Sequence, residues 1–288
     1  MPELPEVETV VRGLRQSLPG RRILSIRLGK TDFIDDAAAL EEQLPGGRIE
    51  EVRRWGKFLV FDVTSSDSES SRLLLIVHLG MTGQLVTQTP ETPAPKHTHV
   101  YFALDDGREL RYTDARRFGR IAVVPESQRE SVLGKLGLDP LETSCEEFIG
   151  QFAHRRARVK ALLMDQTVLR GMGNIYTDES LWRARIHPAQ VAASLKEPAL
   201  SRLHRAVRDV LNEAITLRGS SVSDYVDSDG LPGEFQLRHR VYQREGQKCF
   251  RCKTRIRRII LVGRSSYFCP RCQPPPRRGK RRPRKKHH

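Results

Sequence analysis

The chain has 288 residues, enough for about two or three modest domains with cores of their own. Its 50 basic residues exceed its 35 acidic residues by 15, and eight basic residues lie in the last sixteen positions, 273–288. The rest of the chain is still basic, which favours a polyanionic partner, nucleic acid before an anionic membrane surface. No run of 18 apolar residues occurs, and the acidic, proline-bearing start is unlike a signal peptide. We therefore expect a cytosolic protein without a membrane-spanning helix.

The first half of the chain predicts one helix followed by β-strands. Apolar residues at helical spacing predict an amphipathic helix over residues 5–18. Strand-like segments follow at 23–28, 58–63, 73–79, 100–104, 109–112 and 121–124. Asp106-Gly107, between two of these segments, is a hairpin signal, and residues 65–71 and 89–95 resemble polar loops. This half predicts a β-sandwich or barrel introduced by a helix.

The pattern changes after Pro140. Thr143-Ser144 followed by Glu146-Glu147 indicates a helix start, and residues 143–218 are almost wholly helical in pattern, with breaks at 170–173 and 187–188. Residues 219–240 are rich in glycine, serine and aspartate and predict a long mobile loop. We expect an α+β protein with a β-sandwich domain at 2–135, a helical domain at 140–240, a cysteine module at 241–272 and a disordered basic tail at 273–288.

The cysteine module has the spacing of a zinc site. Cys249 and Cys252 form one Cys-x2-Cys knuckle, Cys269 and Cys272 form another, and sixteen residues separate them. Four sulfur ligands leave no position for a reacting water, so the pattern predicts one structural zinc; two disulfides or free thiols are the alternative. Cys145 lies outside the pattern and is interpreted as an ordinary helix-face cysteine. Arginines and aromatic residues between the knuckles suit phosphate contact, and a solvated basic face is the alternative.

Two short motifs are ambiguous when taken alone. If Met1 is removed, Pro2 becomes the N-terminus, and its nitrogen is a secondary amine with a neutral, nucleophilic fraction near pH 7. Glu3 beside it can move protons. By themselves these residues are explained more simply as the entry into the first helix, because proline is tolerated in a first turn. Residues 171–173, Gly-Met-Gly, suit either a phosphate at a helix start or a plain corner between helices.

Taken together, several segments resemble the formamidopyrimidine-DNA glycosylase and endonuclease VIII family of bifunctional base-excision enzymes. The matching stretches are 2–8, 56–57, 78–83, 112–119, 171–176 and the four-cysteine module with Arg264 before its second knuckle. They cover residues 2–272 in order. The resemblance implies a β-sandwich, a helical domain of helix–two-turns–helix type and a zinc hairpin, with duplex DNA in the cleft between the domains. The sequence departs from the pattern at Ala115 and Ala161, where many members have proline, which affects local backbone stiffness only.

The resemblance also implies roles for individual residues. Pro2 would attack the C1′ sugar carbon and displace the base through a cationic iminium, with Glu3 as the proton shuttle. Glu6 would support them by hydrogen bonding, or would act only as an acid at the helix N-terminus. Lys57 and Arg264 would bind phosphates and assist β- and δ-elimination. Met81, Arg116 and Phe118 would fill the gap left by the everted nucleotide, and 219–240 would cap the damaged base. The positions matching DNA contacts are His97, Arg116, Arg156, Lys160 and Asn174.

The implied function is removal of oxidised purines, such as 8-oxoguanine and formamidopyrimidines, from duplex DNA, followed by strand cleavage. Within the family, an endonuclease VIII-type enzyme for oxidised pyrimidines is the alternative. A non-catalytic zinc-finger DNA-binding protein would explain the charge and the cysteines but not Pro2-Glu3 or Lys57. We expect a monomer in a bacterial cytoplasm, associated with the nucleoid through DNA, that needs neither a redox cofactor nor a catalytic metal.

Overall fold

A computed structural model of the chain describes residues 2–65, 72–222 and 225–276. These residues form two compact units. Unit 1 contains the described parts of Met1–Thr143, Asp165–Gly173 and Arg208–Arg238, and unit 2 those of Ser144–Met164, Asn174–Val207 and His239–His288. The predicted removal of Met1 and positions 277–288 of the predicted tail lie outside the described residues.

Unit 1 begins with the predicted amphipathic helix and continues into a sandwich of two antiparallel sheets. Helix α1 spans Leu4–Ser17 and buries Val7, Val10, Val11 and Leu14, the apolar stripe seen in the sequence. Two short helices, α2 (Ala37–Gln43) and α3 (Arg129–Leu133), accompany the sheets. The eight strands are β1 Ile23–Leu28, β2 Arg48–Trp55, β3 Phe58–Thr64, β4 Arg72–His78, β5 Gln84–Gln88, β6 Thr98–Leu104, β7 Glu109–Thr113 and β8 Arg120–Pro125.

The strand order is β2-β3-β4-β8 in one sheet and β1-β6-β7-β5 in the other. Apolar residues of both sheets and of α1 share one buried core. Strand β4 is apolar throughout because both of its faces are covered. Leu73, Leu75 and Val77 face the shared core, whereas Leu74 and Ile76 belong to a second cluster that includes Leu133 of α3.

Two strands have no counterpart among the predicted segments. Strand β2 is charged, and a register shift between Ile49 and Glu51 leaves its buried residues, Ile49 and Val52, three positions apart. The bulge therefore breaks the two-residue alternation that marks a strand. Strand β5 lies at a sheet edge and buries only Leu85. It is too polar to stand out from a loop.

The segment predicted as a mobile loop is anchored in its described residues. Tyr225 is buried in the core of unit 1, and its hydroxyl donates to the Glu6 carbonyl over 3.2 Å. Ser228 is buried against α1, where a Cβ on Gly13 would meet its side chain. Phe235 is buried at the start of a short 3-10 helix, Phe235–Arg238. Residues 223–224 lie outside the described part.

Unit 2 contains four helices and a zinc-finger hairpin, with the division between units passing through the last helix. The helices are α4 Cys145–Phe152, α5 Val159–Met164, α6 Asn174–Ala184 and α7 Glu197–Thr216, and the hairpin strands are β9 Arg257–Leu261 and β10 Arg264–Phe268. The helical region is more interrupted than the sequence predicts, since irregular segments separate α4 from α5 and α6 from α7. Helix α4 starts as predicted, with a capping box between Ser144 and Glu147.

The packed part of unit 2 extends to Gln273, which the sequence assigned to the basic tail. Gln273 is buried, its side chain accepts the Cys269 N–H over 2.9 Å, and its amide donates to the Ile186 carbonyl over 2.8 Å. Among the described residues, no helix has the length and apolar content needed to cross a bilayer.

Candidate functional site

The N-terminal segment of unit 1 is buried and held at its first turn. Pro2 and Glu3 are both buried, and Glu3 is the N-cap of α1. The Glu3 N–H donates to one Glu6 carboxylate oxygen over 2.8 Å, and the Ser220 N–H donates to the other over 2.7 Å. Both Glu6 oxygens therefore bind backbone donors, and Glu6 ties the start of α1 to residue 220. The local sequence 2–8 gives no sign of this distant partner.

The glycine-rich turn of unit 1 lies against the same segment. The Leu4 N–H donates to the Gly171 carbonyl over 3.0 Å. Gly171 has φ +91°, and a Cβ on Gly173 would overlap the Glu3 carboxylate. Gln166 fixes the turn, since its side chain accepts the Gly171 N–H over 2.8 Å and donates to the Met172 carbonyl over 2.9 Å. Both glycines are thus required by close backbone approach to Glu3 and Leu4.

Lys57 is half-buried in the turn between β2 and β3, which packs on the glycine-rich turn. Gly56 has φ +64°, and a Cβ on it would lie 3.2 Å from the Arg170 Cβ and 3.5 Å from the Gly171 nitrogen. The Arg170 guanidinium stacks over the Trp55 ring at 3.9 Å. Because residue 171 also binds Leu4, the structure brings Lys57 into the same region of unit 1 as Pro2 and Glu3.

A buried ionic network supports this arrangement. Arg54 of β2 pairs with Glu8 of α1 and with Asp139, both over 2.8 Å, and Arg170 lies 3.4 Å from Asp139. Hydrogen bonds from Arg12 and Arg54 hold the pKa of Glu8 below its usual value although burial opposes them. The network joins α1, β2 and the glycine-rich turn, the three elements around Pro2.

Met81, Arg116 and Phe118 lie on two adjoining loops of unit 1. All three are exposed, Phe118 by 57%, and the Arg116 guanidinium lies 4.5 Å from the Phe118 ring centroid. Gly80 has φ +60°, and a Cβ there would strike the backbone of Phe118 and Gly119. This close packing places Met81 beside Phe118. Two apolar side chains and one guanidinium can therefore act as one exposed wedge.

Asp114, to which the sequence gave no role, shapes the loop that carries Arg116. It is fully buried and accepts the N–H groups of Gly119 (2.9 Å) and Arg116 (3.2 Å) and the Tyr112 hydroxyl (3.2 Å). Its own N–H donates to the His97 carbonyl over 3.0 Å, so exposed His97 is fixed to the same loop. An acid embedded in a conspicuous motif was the available signal.

His78 lies between the Lys57 turn and the Met81 loop. Its ring contacts Phe58 at 5.0 Å, and its Nδ1 accepts the Gly80 N–H over 3.1 Å. Burial, assisted by the positive charges of Lys57 and Arg120, lowers the pKa of His78 to about 4. The imidazole is therefore neutral at physiological pH, with Nδ1 as the acceptor and the proton on Nε2.

The four predicted zinc ligands come together in unit 2. Their Sγ atoms all lie within 4.8 Å of one another, with Cys249 and Cys272 at 4.0 Å and Cys252 and Cys269 at 3.4 Å. Tetrahedral zinc with bonds of about 2.3 Å needs sulfur separations of about 3.8 Å, so the cluster fits that ion. These cysteines are not in disulfides, and Cys145 is remote from the cluster in sequence and half-buried. Zinc would hold the small core around Trp182 and Val241 together.

Arg264 is exposed at the start of β10, beside the tight turn Val262-Gly263, where both residues have positive φ. Lys160 differs from its expected role, because its side chain is fully buried and its ammonium lies 2.7 Å from Asp178. Asn174, half-buried at the start of α6, donates to the Ser265 carbonyl over 3.0 Å. Arg156 is exposed in the segment between α4 and α5.

Glu179 fixes the chain where it enters the zinc module. Its buried carboxylate accepts three successive N–H groups, from residues 240, 241 and 242, over 2.9–3.0 Å. Burial raises the pKa of Glu179 although these three donors oppose the shift. The adjacent acids Asp178 and Glu179 are both buried in α6. Adjacent acids inside an otherwise apolar helix were a signal that the sequence analysis did not use.

Three family profiles match consecutive parts of the chain. The formamidopyrimidine-DNA glycosylase N-terminal domain matches residues 1–121, the H2TH domain of the same enzymes matches 136–226, and a zinc finger found in FPG and IleRS matches 246–275. Two curated relatives carry the name formamidopyrimidine-DNA glycosylase. The one from Solibacter usitatus is 43% identical over 275 residues, 95% of this chain and 99% of its own length. The one from Salinispora arenicola is 44% identical over 287 residues, 96% of this chain and 98% of its own.

Solved structures agree with these matches. A point variant of Lactococcus lactis FPG in complex with Fapy-dG-containing DNA superposes with a TM-score of 0.86 at 33% identity, covering 95% of this chain and 100% of that one. The complex of Lactococcus lactis Fpg with abasic-site DNA gives a TM-score of 0.84 at the same identity and coverage. The likeness therefore spans both units and the zinc finger.

Proposed function

The chain belongs to the formamidopyrimidine-DNA glycosylase family, and from that membership we propose that it is a bifunctional DNA glycosylase and abasic-site lyase of base excision repair. Its substrate is duplex DNA that contains an oxidised purine, 8-oxoguanine or a formamidopyrimidine. The observation that carries the proposal is the convergence of Pro2, Glu3 and Lys57 around the Gly171–Gly173 turn. A helix entry alone would not need backbone packed so closely against the Glu3 carboxylate.

In this proposal the Pro2 nitrogen is the nucleophile, once Met1 has been removed. It attacks C1′, the bond from C1′ to the base breaks, and the nitrogen lone pair becomes the C1′–N bond. Because Pro2 is a secondary amine, loss of the ring oxygen gives a cationic iminium that acidifies the C2′–H bond. The start of α1 carries a partial positive charge, which favours the neutral amine over the ammonium.

Glu3 transfers protons to the ring oxygen and from the sugar carbons. Its backbone is fixed by Glu6, and its carboxylate faces the Gly173 backbone without an intervening side chain. Both contacts limit the positions that the carboxylate can occupy. A fixed acid–base group beside the nucleophile suits a reaction that needs several proton transfers at neighbouring atoms.

DNA binding is supported by exposed cationic and apolar groups in both units. Met81 and Phe118 supply stacking surface for the gap left by an everted nucleotide, and Arg116 hydrogen-bonds the orphaned base. Lys57 and Arg264 bind phosphates next to the lesion and assist β- and δ-elimination. His97, Arg156 and Asn174 add contacts to the DNA backbone. One structural zinc holds the Arg264 hairpin, and the enzyme acts as a monomer in the bacterial cytoplasm.

The decisive experiment is borohydride trapping on a duplex with 8-oxoguanine opposite cytosine. The enzyme should form a covalent protein–DNA adduct, and Pro2→Gly should weaken it strongly. Pro5→Ala is the matched control, since it also changes proline in the first turn but leaves the amine intact. A protein that only binds DNA gives no adduct, and equal loss in both variants would reduce Pro2 to a helix-entry residue.

The lesion preference is tested with thymine glycol. The exposed wedge of Met81, Arg116 and Phe118 supports the oxidised-purine branch, so we expect faster cleavage of the 8-oxoguanine duplex than of the thymine glycol duplex. The opposite ranking would assign the enzyme to the endonuclease VIII branch and leave the Pro2 chemistry unchanged.

A further inference from the structure

The buried ion pair of unit 2 grips the strand that follows Arg264. Lys160 on α5 and Asp178 on α6 both have fully buried side chains, 2.7 Å apart. The Lys160 ammonium also donates to the Ser265 carbonyl over 3.1 Å, and the second Asp178 oxygen accepts the Tyr267 N–H over 2.8 Å. One ion pair therefore binds β10 through a carbonyl at 265 and an N–H at 267.

Asn174 strengthens the same attachment. Its amide donates to the Ser265 carbonyl over 3.0 Å, so that oxygen receives two side-chain donors. Ser265 directly follows Arg264, and Arg264 follows the tight Val262-Gly263 turn. Fixing the 265 carbonyl fixes the plane of the next peptide and the direction in which β10 leaves Arg264.

We propose that the Lys160–Asp178 pair is a positioning device for Arg264, and that Lys160 is not a phosphate contact. The proposal rests on the role of Arg264 in δ-elimination proposed above. A fully buried ammonium that already binds a carboxylate and a carbonyl is unavailable to a phosphate. Buried ion pairs generally add little stability over apolar residues of similar volume, so stability is a poor reason for this pair. Fixing a strand geometry is a better one.

The reaction explains why the position of Arg264 matters. In δ-elimination the C4′–H bond of the opened sugar breaks and its proton passes to a carboxylate base. The electron pair forms the C4′–C5′ double bond, and the C5′–O bond breaks with its electrons leaving on the phosphate. Arg264 binds that departing phosphate, so a shift of about 1 Å in its guanidinium would lower the rate on the order of 10²-fold. Base removal and β-elimination do not depend on this group.

The test compares Lys160→Met, Arg264→Ala and the double variant on an abasic-site duplex, with the ratio of δ to β products as the readout. Lys196→Met, which removes an exposed lysine from the same unit, is the matched control. We expect Lys160→Met to lower the ratio on the order of 10- to 100-fold with trapping through Pro2 retained. The double variant should fall no further than Arg264→Ala alone, because Lys160 acts through Arg264.

The outcomes separate the two proposals. An unchanged ratio in Arg264→Ala would refute the role of Arg264 itself. A lowered ratio in Arg264→Ala with a normal ratio in Lys160→Met, or a double variant that multiplies the two effects, would overturn the positioning role. If Lys160→Met loses zinc or fails to fold, Lys160→Met with Asp178→Leu removes both buried charges together. That variant should show the same lowered ratio, and a normal ratio would also overturn the proposal.

Discussion

The substitution Gly173→Ala tests the close packing around Glu3 most directly. Gly173 does not have a positive φ, so alanine is compatible with its backbone. The added Cβ would lie 2.6 Å from one Glu3 carboxylate oxygen and nearer still to the carboxyl carbon. Comfortable contact needs about 3.5 Å, so the carboxylate or the turn must move by roughly 1 Å. Any effect of the substitution therefore comes from space and not from backbone strain.

The size of the effect follows from what has to move. Glu3 is 4% exposed and its N–H is held by Glu6, while the turn is held by two hydrogen bonds from Gln166. If the carboxylate moves, a 1 Å displacement of a catalytic group lowers the rate on the order of 10²-fold, about 2.7 kcal/mol of barrier. If the turn moves, overpacking costs about 1–3 kcal/mol of stability.

Single-turnover cleavage of an 8-oxoguanine duplex measures the first effect, and thermal unfolding measures the second. Gly150→Ala is the matched control, because Gly150 lies in α4 with no atom within 4 Å of the added Cβ. It should leave the rate unchanged and stabilise the protein by about 0.5–1 kcal/mol. A Gly173→Ala enzyme with the wild-type rate constant and melting temperature would refute the reasoning.

Three further predictions concern zinc, His78 and the basic tail. Cys252→Ser should abolish zinc binding, worth about 10–16 kcal/mol to such a module, and with it strand cleavage, whereas Cys145→Ser should retain both in a zinc assay. The pKa of His78 is lowered to about 4, so its contribution to stability is complete above about pH 6.5 and falls by about 1.4 kcal/mol per pH unit below it; His78→Asn, which keeps an acceptor for Gly80, should lose less stability between pH 7.5 and 5.5 in urea unfolding. Deleting residues 277–288 should flatten the salt dependence of DNA binding by about 0.9 log units per lost phosphate contact, and an identical slope in a salt titration would contradict this.

The sequence predicts those elements whose burial is regular along the chain. Helix α1 and strand β4 were predictable because their apolar residues follow one helical stripe or an unbroken run. Strand β2 was not, because its bulge moves Val52 out of alternation with Ile49. The cysteine spacing predicted the ligand cluster correctly because each pair is local in sequence.

The surroundings of the site could not be predicted in this way. The contact of Gly173 with Glu3 spans 170 positions, and that of Lys160 with the Ser265 carbonyl spans 105. Motif resemblance identified both positions but said nothing of their burial. A lysine in a basic protein is ordinarily solvent-facing, and only tertiary packing distinguishes Lys160 from such a residue.

The discontinuous build of unit 1 has a consequence for its biosynthesis. Its core includes Tyr225, and the buried Glu6 carboxylate needs the Ser220 N–H as a donor. A nascent chain that has emerged only to residue 143 carries every strand of the sandwich but leaves one Glu6 oxygen without that donor. Burying it unsatisfied costs about 1–3 kcal/mol or more. The start of α1 should therefore settle late, after the ribosome has released the chain to about residue 238, and translation should be nearly complete before the active centre can form.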